Sequence, residues 1–325
     1  MGALAVVVTG IALPITPVAA APPTSPLVIS ELMYHPPETG DAYPSFRYNE
    51  DAEFVEVANR SNGSVNVSGW CLADGVDFCF PGGTTIAAGD EVVIARDNAA
   101  YNALWGGTPD HNYSGKLPNG GELLTLNNGG GTEVDRVDYD DEGLWPVTPD
   151  ELGTSLERID LNADGDNAAN WSASVAANGH TAGQANSVAG NGVPPLVVNH
   201  AAPTNHPANQ SIAVTADITG ATAATLEYLV DHGNVQTVPM TGNGNAYSAT
   251  VPGQAAGSLV RYRVLATGNG GARSGPRPDD TIGWWGLTIA DSTASNVPVV
   301  KWFVDPADYQ NAYTNSRSNT PCNGA

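Results

Sequence analysis

The sharpest chemical signal in the chain is DLNADGDN, residues 160–167. Asp160, Asn162 and Asp164 stand at alternate positions, Gly165 permits a sharp turn, and Asp166 adds another carboxylate. Hard cations are held by several oxygen ligands, and this spacing is that of the first half of an EF-hand-type calcium loop. The position that would close such a loop with a bidentate Glu is Trp171. Two readings stay open. The set Asp160, Asn162, Asp164 and Asp166 takes calcium, or the segment is an Asp/Asn-rich turn that binds its own backbone.

Other reactive side chains are sparse. Cys71 and Cys79 lie in GWCLADGVDFCF, two short strand-like runs about a D-G turn. A hairpin brings such positions within disulfide reach, and no nearby residues complete a zinc set. Cys322 is left over. Trp284 and Trp285, in DDTIGWWGLT, could stack on a ligand or pack against a neighbouring domain. Trp70, Trp145 and Trp171 read as core. His35 precedes Pro36–Pro37 and reads as a hydrogen-bonded loop residue, and Asp140–Asp141–Glu142 reads as a solvated turn. No nucleophile elbow, HExxH, P-loop or dinucleotide motif is present, so no catalytic residue is assigned.

The elements that must position these residues are short strands. Runs such as LVISELMY (27–34), AEFVEVAN (52–59), DEVVIAR (90–96), ELLTLNN (122–128) and EVDRVDY (133–139) are separated by SNG, DG, PGG and NNGGG turns. NAAYNALWG (98–106) alone resembles a helix. After SVAGNGVPP (187–195), which reads as a linker, a second series begins. It includes SIAVTADI (211–218), ATLEYLVD (224–231) and LVRYRVLAT (259–267), in which Val260, Tyr262 and Val264 share one face. The expected fold is all-β: two successive immunoglobulin-like sandwiches.

Composition narrows the setting. The chain has 325 residues, 37 of them Gly and 24 Pro, and a formal net charge of −22. That charge repels phosphate backbones and anionic lipid, so neither nucleic acid nor an acidic membrane is an expected partner. Residues 1–21 are apolar, uncharged and broken by Pro14 and Pro17, which reads as a signal peptide and implies a secreted, extracellular or cell-surface protein with no membrane anchor after cleavage.

Five segments carry a resemblance: LVISELMYHPP (27–37), residues 53–96, SGKLPNGGELLTL (114–126), VDYDDEGLWP (137–146) and SLERIDLNADGDNAANWSAS (155–174). Together they resemble the lamin-tail domain of secreted bacterial proteins, which implies an Ig-like sandwich over residues 26–186. The stretch YSATVPGQAAGSLVRYRVLAT (247–267) is similar to fibronectin type III-like modules, here spanning 196–290. VPVVKWFVDPADYQNAY (297–313) resembles the opening strand and helix of a CotH-like (spore-coat) kinase domain, so residues 291–325 would be the incomplete start of a third domain. That family's catalytic residues would lie beyond Ala325.

The expected function is therefore a non-catalytic extracellular binding or spacing region, with an unidentified polymer or protein ligand, in the N-terminal part of a CotH-like kinase-family protein. The alternative is a free-standing calcium-dependent adhesion or cell-wall-binding protein.

Overall fold

The computed structural model describes residues 24–37, 49–150, 152–292 and 303. The expected signal peptide lies outside the described residues, as do Cys322 and nearly all of the expected CotH-like segment.

The first unit opens with β1 (Leu27–Met33), β2 (Phe54–Asn59), β3 (Val65–Asn66), β4 (Cys71–Ala73), β5 (Val76–Cys79), β6 (Thr85–Ile86) and β7 (Glu91–Ala95). It continues through α1 (Asn98–Trp105) to β8 (His111–Asn112), β9 (Ser114–Gly115), β10 (Glu122–Asn127), β11 (Glu133–Tyr139), β12 (Leu156–Arg158) and β13 (Trp171–Ala173). One sheet has the order β13-β12-β1-β2-β7-β8 and the other β11-β10-β4-β5-β9, with β3 and β6 forming a separate ribbon. Every pairing is antiparallel except β7 with β8. Leu27, Ile29, Val55, Val57, Leu124, Val137 and Trp171 fill the space between the two sheets.

β1 shows how residue order sets the faces. Leu27 and Ile29 point into this core at the strand period of two, yet the next core residues are Leu32 and Tyr34. The register with β2 slips between Ile29 and Glu31, a bulge that adds one residue. Glu31 and Met33 are thereby placed on the opposite face. That face is also buried, because α1 packs Tyr101 against Met33 and Phe54. Asp97 caps α1 by accepting the amides of Ala99 and Ala100, and Gly106 ends it at φ 78°.

The second unit comprises β14 (Leu196–Ala201), β15 (Ile212–Thr219), β16 (Ala221–Val230), β17 (Gln236–Pro239), β18 (Thr241–Asn243), β19 (Ala246–Val251), β20 (Leu259–Gly268), β21 (Gly271–Gly275) and β22 (Trp285–Thr288). The sheet β14-β15-β19-β18 faces the sheet β17-β16-β20-β21, in which β22 pairs with the start of β20. Alternation places Ile212, Val214, Ala216 and Ile218 of β15 and Val260, Tyr262, Val264 and Ala266 of β20 in the shared core. The all-β expectation holds in both units.

The segment expected to be a linker is hydrogen-bonded to the first unit. Val188 N donates to Glu157, Gly190 N to the Ile159 carbonyl and Gly192 N to Asp160 Oδ2. Its Gly/Pro composition allows an extended path, but side-chain and backbone acceptors on the first unit fix that path.

Candidate functional site

The loop 160–167 is held by its own chain. Asp160 Oδ1 accepts Asn162 N at 2.8 Å, and Asp164 Oδ1 accepts Asp166 N at 3.0 Å. These are Asx turns, in which a short acidic side chain binds the backbone two residues on. Asn162 Oδ1 accepts from Arg60, Asp166 Oδ2 lies 3.3 Å from Arg136 Nε, and the Ala163 carbonyl accepts Arg158 Nη2 at 2.6 Å. Three guanidinium groups thus reach the segment. Trp171, at the position where a calcium loop would close with Glu, donates its indole N–H to the Gly165 carbonyl at 2.7 Å. A Cβ on Gly165 would lie 2.5 Å from the Arg136 carbonyl oxygen, so glycine is required by a close backbone approach. Among the described residues no group of three or more His, Cys, Asp or Glu is gathered as a metal set.

Behind the loop, Arg158 is fully buried, with Nη1 2.7 Å from Asp135 Oδ2. The same carboxylate oxygen accepts Ile29 N, and Arg158 also donates to the Ile29 carbonyl. This pair ties β1, β11 and β12 to the loop. Burial raises the Asp135 pKa against the opposing pull of Arg158.

Cys71 and Cys79 face each other across β4 and β5 and are joined by a disulfide. The hairpin reading of this segment is correct. His35 Nδ1 meets Asp150 Oδ1 at 2.5 Å, which makes it a hydrogen-bonded loop residue, and Asp140 and Glu142 are exposed. Trp171 is fully buried, whereas Trp70 and Trp145 are half-buried against the core.

The tryptophan pair divides its roles. Trp285 stacks on His200, with ring centroids 3.6 Å apart and planes at 17°, and also meets Tyr262. Trp284 lies under the Arg263 guanidinium at 4.5 Å, and Arg263 in turn pairs with Glu227. Each tryptophan therefore has a partner within its own unit. Trp285 also borders a groove of about 240 Å³ between the two units, opposite Leu144 and Trp145. This groove adjoins a second of about 550 Å³, bordered by Asp138, Asp140 and Glu142.

The groove is set by a latch that the sequence did not reveal. Arg277, between β21 and β22, donates to the carbonyls of Trp171 at 2.6 Å, Leu144 at 2.9 Å and Ala168 at 3.3 Å in the first unit. Its Nε holds Asp279, whose Oδ2 accepts Ser172 Oγ at 2.7 Å and Ala173 N at 3.2 Å. Burial pulls the Asp279 pKa up, but Arg277 outweighs it and the group lies below the usual carboxylate range. Arg273 donates to the Ala169 carbonyl from the same side. Backbone carbonyls are the main targets, so no residue-type pattern signals the contact.

A second missed feature is a row of glutamates. Glu157, Glu31 and Glu56 lie on adjacent strands, with Glu31 in register with both of the others. All three are fully buried. The strap of residues 178–188 covers them: Thr181 N and Gly183 N donate to Glu31 and Glu56. Ser187 Oγ and Val188 N both donate to Glu157 Oε2. The signal in the sequence was a Glu set inside each of three apolar strand runs.

No curated protein matches the chain in sequence. Among solved structures, a Br derivative of BhCBM56 is 13% identical, covering 28% of this chain and 91% of that one at a TM-score of 0.23. A cytokine receptor complex is 13% identical, covering 74% and 94% at 0.23. Type I pullulanase from Bacillus subtilis str. 168 complexed with maltose is 12% identical, covering 80% of this chain and 28% of that one at 0.23. Superpositions this poor establish no common architecture. The family comparison is sharper and agrees with the sheets described above: residues 20–141, which include β1 to β11, match the model of the Lamin Tail Domain, an Ig-like β sandwich.

Proposed function

We propose that this chain is a non-catalytic, extracellular binding and spacing region of a secreted protein, ahead of a CotH-like domain. The observation that carries this reading is the groove between the two sandwiches. Its walls are the half-buried rings of Trp145 and Trp285, and acidic side chains continue along it. Apolar rings with a few convergent polar groups suit an extended ligand, such as a wall polymer or a peptide segment. The net charge of −22 disfavours a nucleic acid in that role.

The test uses the whole chain and a defined probe set: purified peptidoglycan, insoluble polysaccharides and immobilised basic peptides. Retention on one of them, reduced at least tenfold by Trp145→Ala with the fold intact, is the expected result. Retention unchanged by Trp145→Ala removes the groove, and turnover of any probe by the chain removes the non-catalytic reading. The CotH-like parentage is tested separately by the reading frame past the codon for Ala325, which should encode several hundred further residues.

A further inference from the structure

The glutamate row contains a hydrogen-bond count that does not close for three carboxylates. Thr181 Oγ1 lies 3.0 Å from Glu31 Oε2 and 2.9 Å from Glu157 Oε1. A hydroxyl carries one hydrogen, and an ionised carboxylate can only accept. One of the two contacts therefore requires a carboxyl O–H that donates to Thr181 Oγ1. Glu157 already accepts Ser187 Oγ at 2.7 Å and Val188 N at 3.1 Å on its other oxygen. Glu31 accepts Thr181 N on its other oxygen, has the buried Ser155 hydroxyl beside it, and stands between the other two carboxylates in the row.

We infer that Glu31 carries a proton donated to Thr181 Oγ1, with the Thr181 hydroxyl donating onward to Glu157, and that this proton holds the strap of residues 178–188 closed over the sheet. The row is a proton-binding site, and its ligand stabilises the closed strap.

The surroundings agree. Among the described residues no Lys or Arg pairs with Glu31, Glu56 or Glu157. From β7, Glu91 adds negative charge near Glu56, and from α1 only Tyr101 faces the row. The strap contributes His180, whose Nδ1 accepts Ala182 N; burial pushes its pKa down against the opposing pull of Glu157. Ser30 donates to Glu56. Burial raises Glu31 to about 7, with Glu157 adding to the rise and hydrogen bonds from Ser155 and Thr181 opposing it; burial and then Glu31 raise Glu56 against Ser30 and Gly183 N. Because the strap leads into Gly190 and Gly192, which bind the first unit, loss of the proton also loosens the path to the second unit.

A raised carboxylate binds its proton more tightly closed than open. Opening therefore becomes easier with rising pH between the ordinary glutamate value and the closed-state value. It rises about tenfold per pH unit from about pH 5 to about pH 7, then levels off. The first measurement is the carboxyl ¹³C shift of Glu31 against pH in the whole chain. A midpoint near 7 is expected, and an ordinary glutamate midpoint overturns the proposal. The second is amide exchange at Thr181, Gly183 and Val188, corrected for base catalysis. Glu31→Gln supplies a permanent donor to Thr181 Oγ1, so its pH slope should fall by one proton relative to the wild type. Equal slopes in the two proteins overturn the proposal. If Glu31→Gln does not fold, the ¹³C titration of the wild type decides alone.

Discussion

Replacing Arg277 with Ala should uncouple the two sandwiches. The guanidinium makes three bonds across the boundary, to the carbonyls of Trp171, Leu144 and Ala168. It also holds Asp279 in place to accept Ser172 Oγ and Ala173 N. Hydrogen bonds to charged groups contribute roughly 1.5–3 kcal/mol each, less when water replaces the lost partner. Counting the three bonds near the lower end, the coupling lost is about 4 kcal/mol, or roughly a thousandfold in the docking equilibrium. Differential scanning calorimetry reads this directly. The wild-type chain should unfold in one transition, with calorimetric and van't Hoff enthalpies in agreement, and Arg277→Ala in two. At about 2–4 °C per kcal/mol for a unit of this size, the less stable sandwich should melt at least several degrees earlier. A single transition at the wild-type temperature in Arg277→Ala would refute the reasoning, because the latch would then contribute nothing.

Four further outcomes are expected. Asp135→Ala strands the buried Arg158 charge and should cost about 3–5 kcal/mol in denaturant unfolding, whereas the double change Asp135→Leu with Arg158→Met should recover most of it. Cys71→Ser with Cys79→Ser opens a short loop and should lower stability by about 2–3 kcal/mol, as should a reductant on the wild type. Burial raises Glu31 and Glu53 to about 7, so their stabilisation is complete below about pH 4.5 and lost as pH rises to about 7. Asp279 is lowered, so its contribution is lost as pH falls below the ordinary carboxylate value. A melting temperature that peaks near pH 5 checks both signs, and a monotonic rise to pH 8 contradicts the first. Millimolar calcium should leave the melting temperature unchanged, because Arg60, Arg136 and Arg158 already engage the oxygens of residues 160–167; a rise of several degrees would favour the calcium reading over the Asx-turn one.

The parts of this fold that were legible in the sequence are those governed by local rules. Alternation in Val260–Tyr262–Val264 identified the inward face of β20, and the D-G turn between Cys71 and Cys79 identified the disulfide hairpin. Asp97 and Gly106 bracket the helix expected over 98–106. The edge strands β21 and β22 were missed because Gly271–Gly275 and Trp285–Thr288 have little periodicity, and their pairing with β20 is what makes them strands. The spacing of Asp160, Asn162 and Asp164 was visible, but the arginines that reach the loop come from positions 60, 136 and 158 and cannot be read locally. Glu31, Glu56 and Glu157 stood in plain view within apolar runs. Only the cross-strand register shows that they form one row.

The extra residue in β1 has a consequence for chain length. Substitutions along Leu27–Met33 change one side chain each, whereas a change in residue count acts on a whole end of the strand. Ser30 is the exception, because it has no partner of its own in β2: without it Ile29 still faces Val57, Glu31 still faces Glu56, and Leu32 stays inside the sandwich. A residue added or removed elsewhere in the strand flips one end and turns Leu27 or Leu32 out of the core. In a saturation library of single-residue deletions along Leu27–Met33, depletion should therefore be weakest between Ile29 and Glu31.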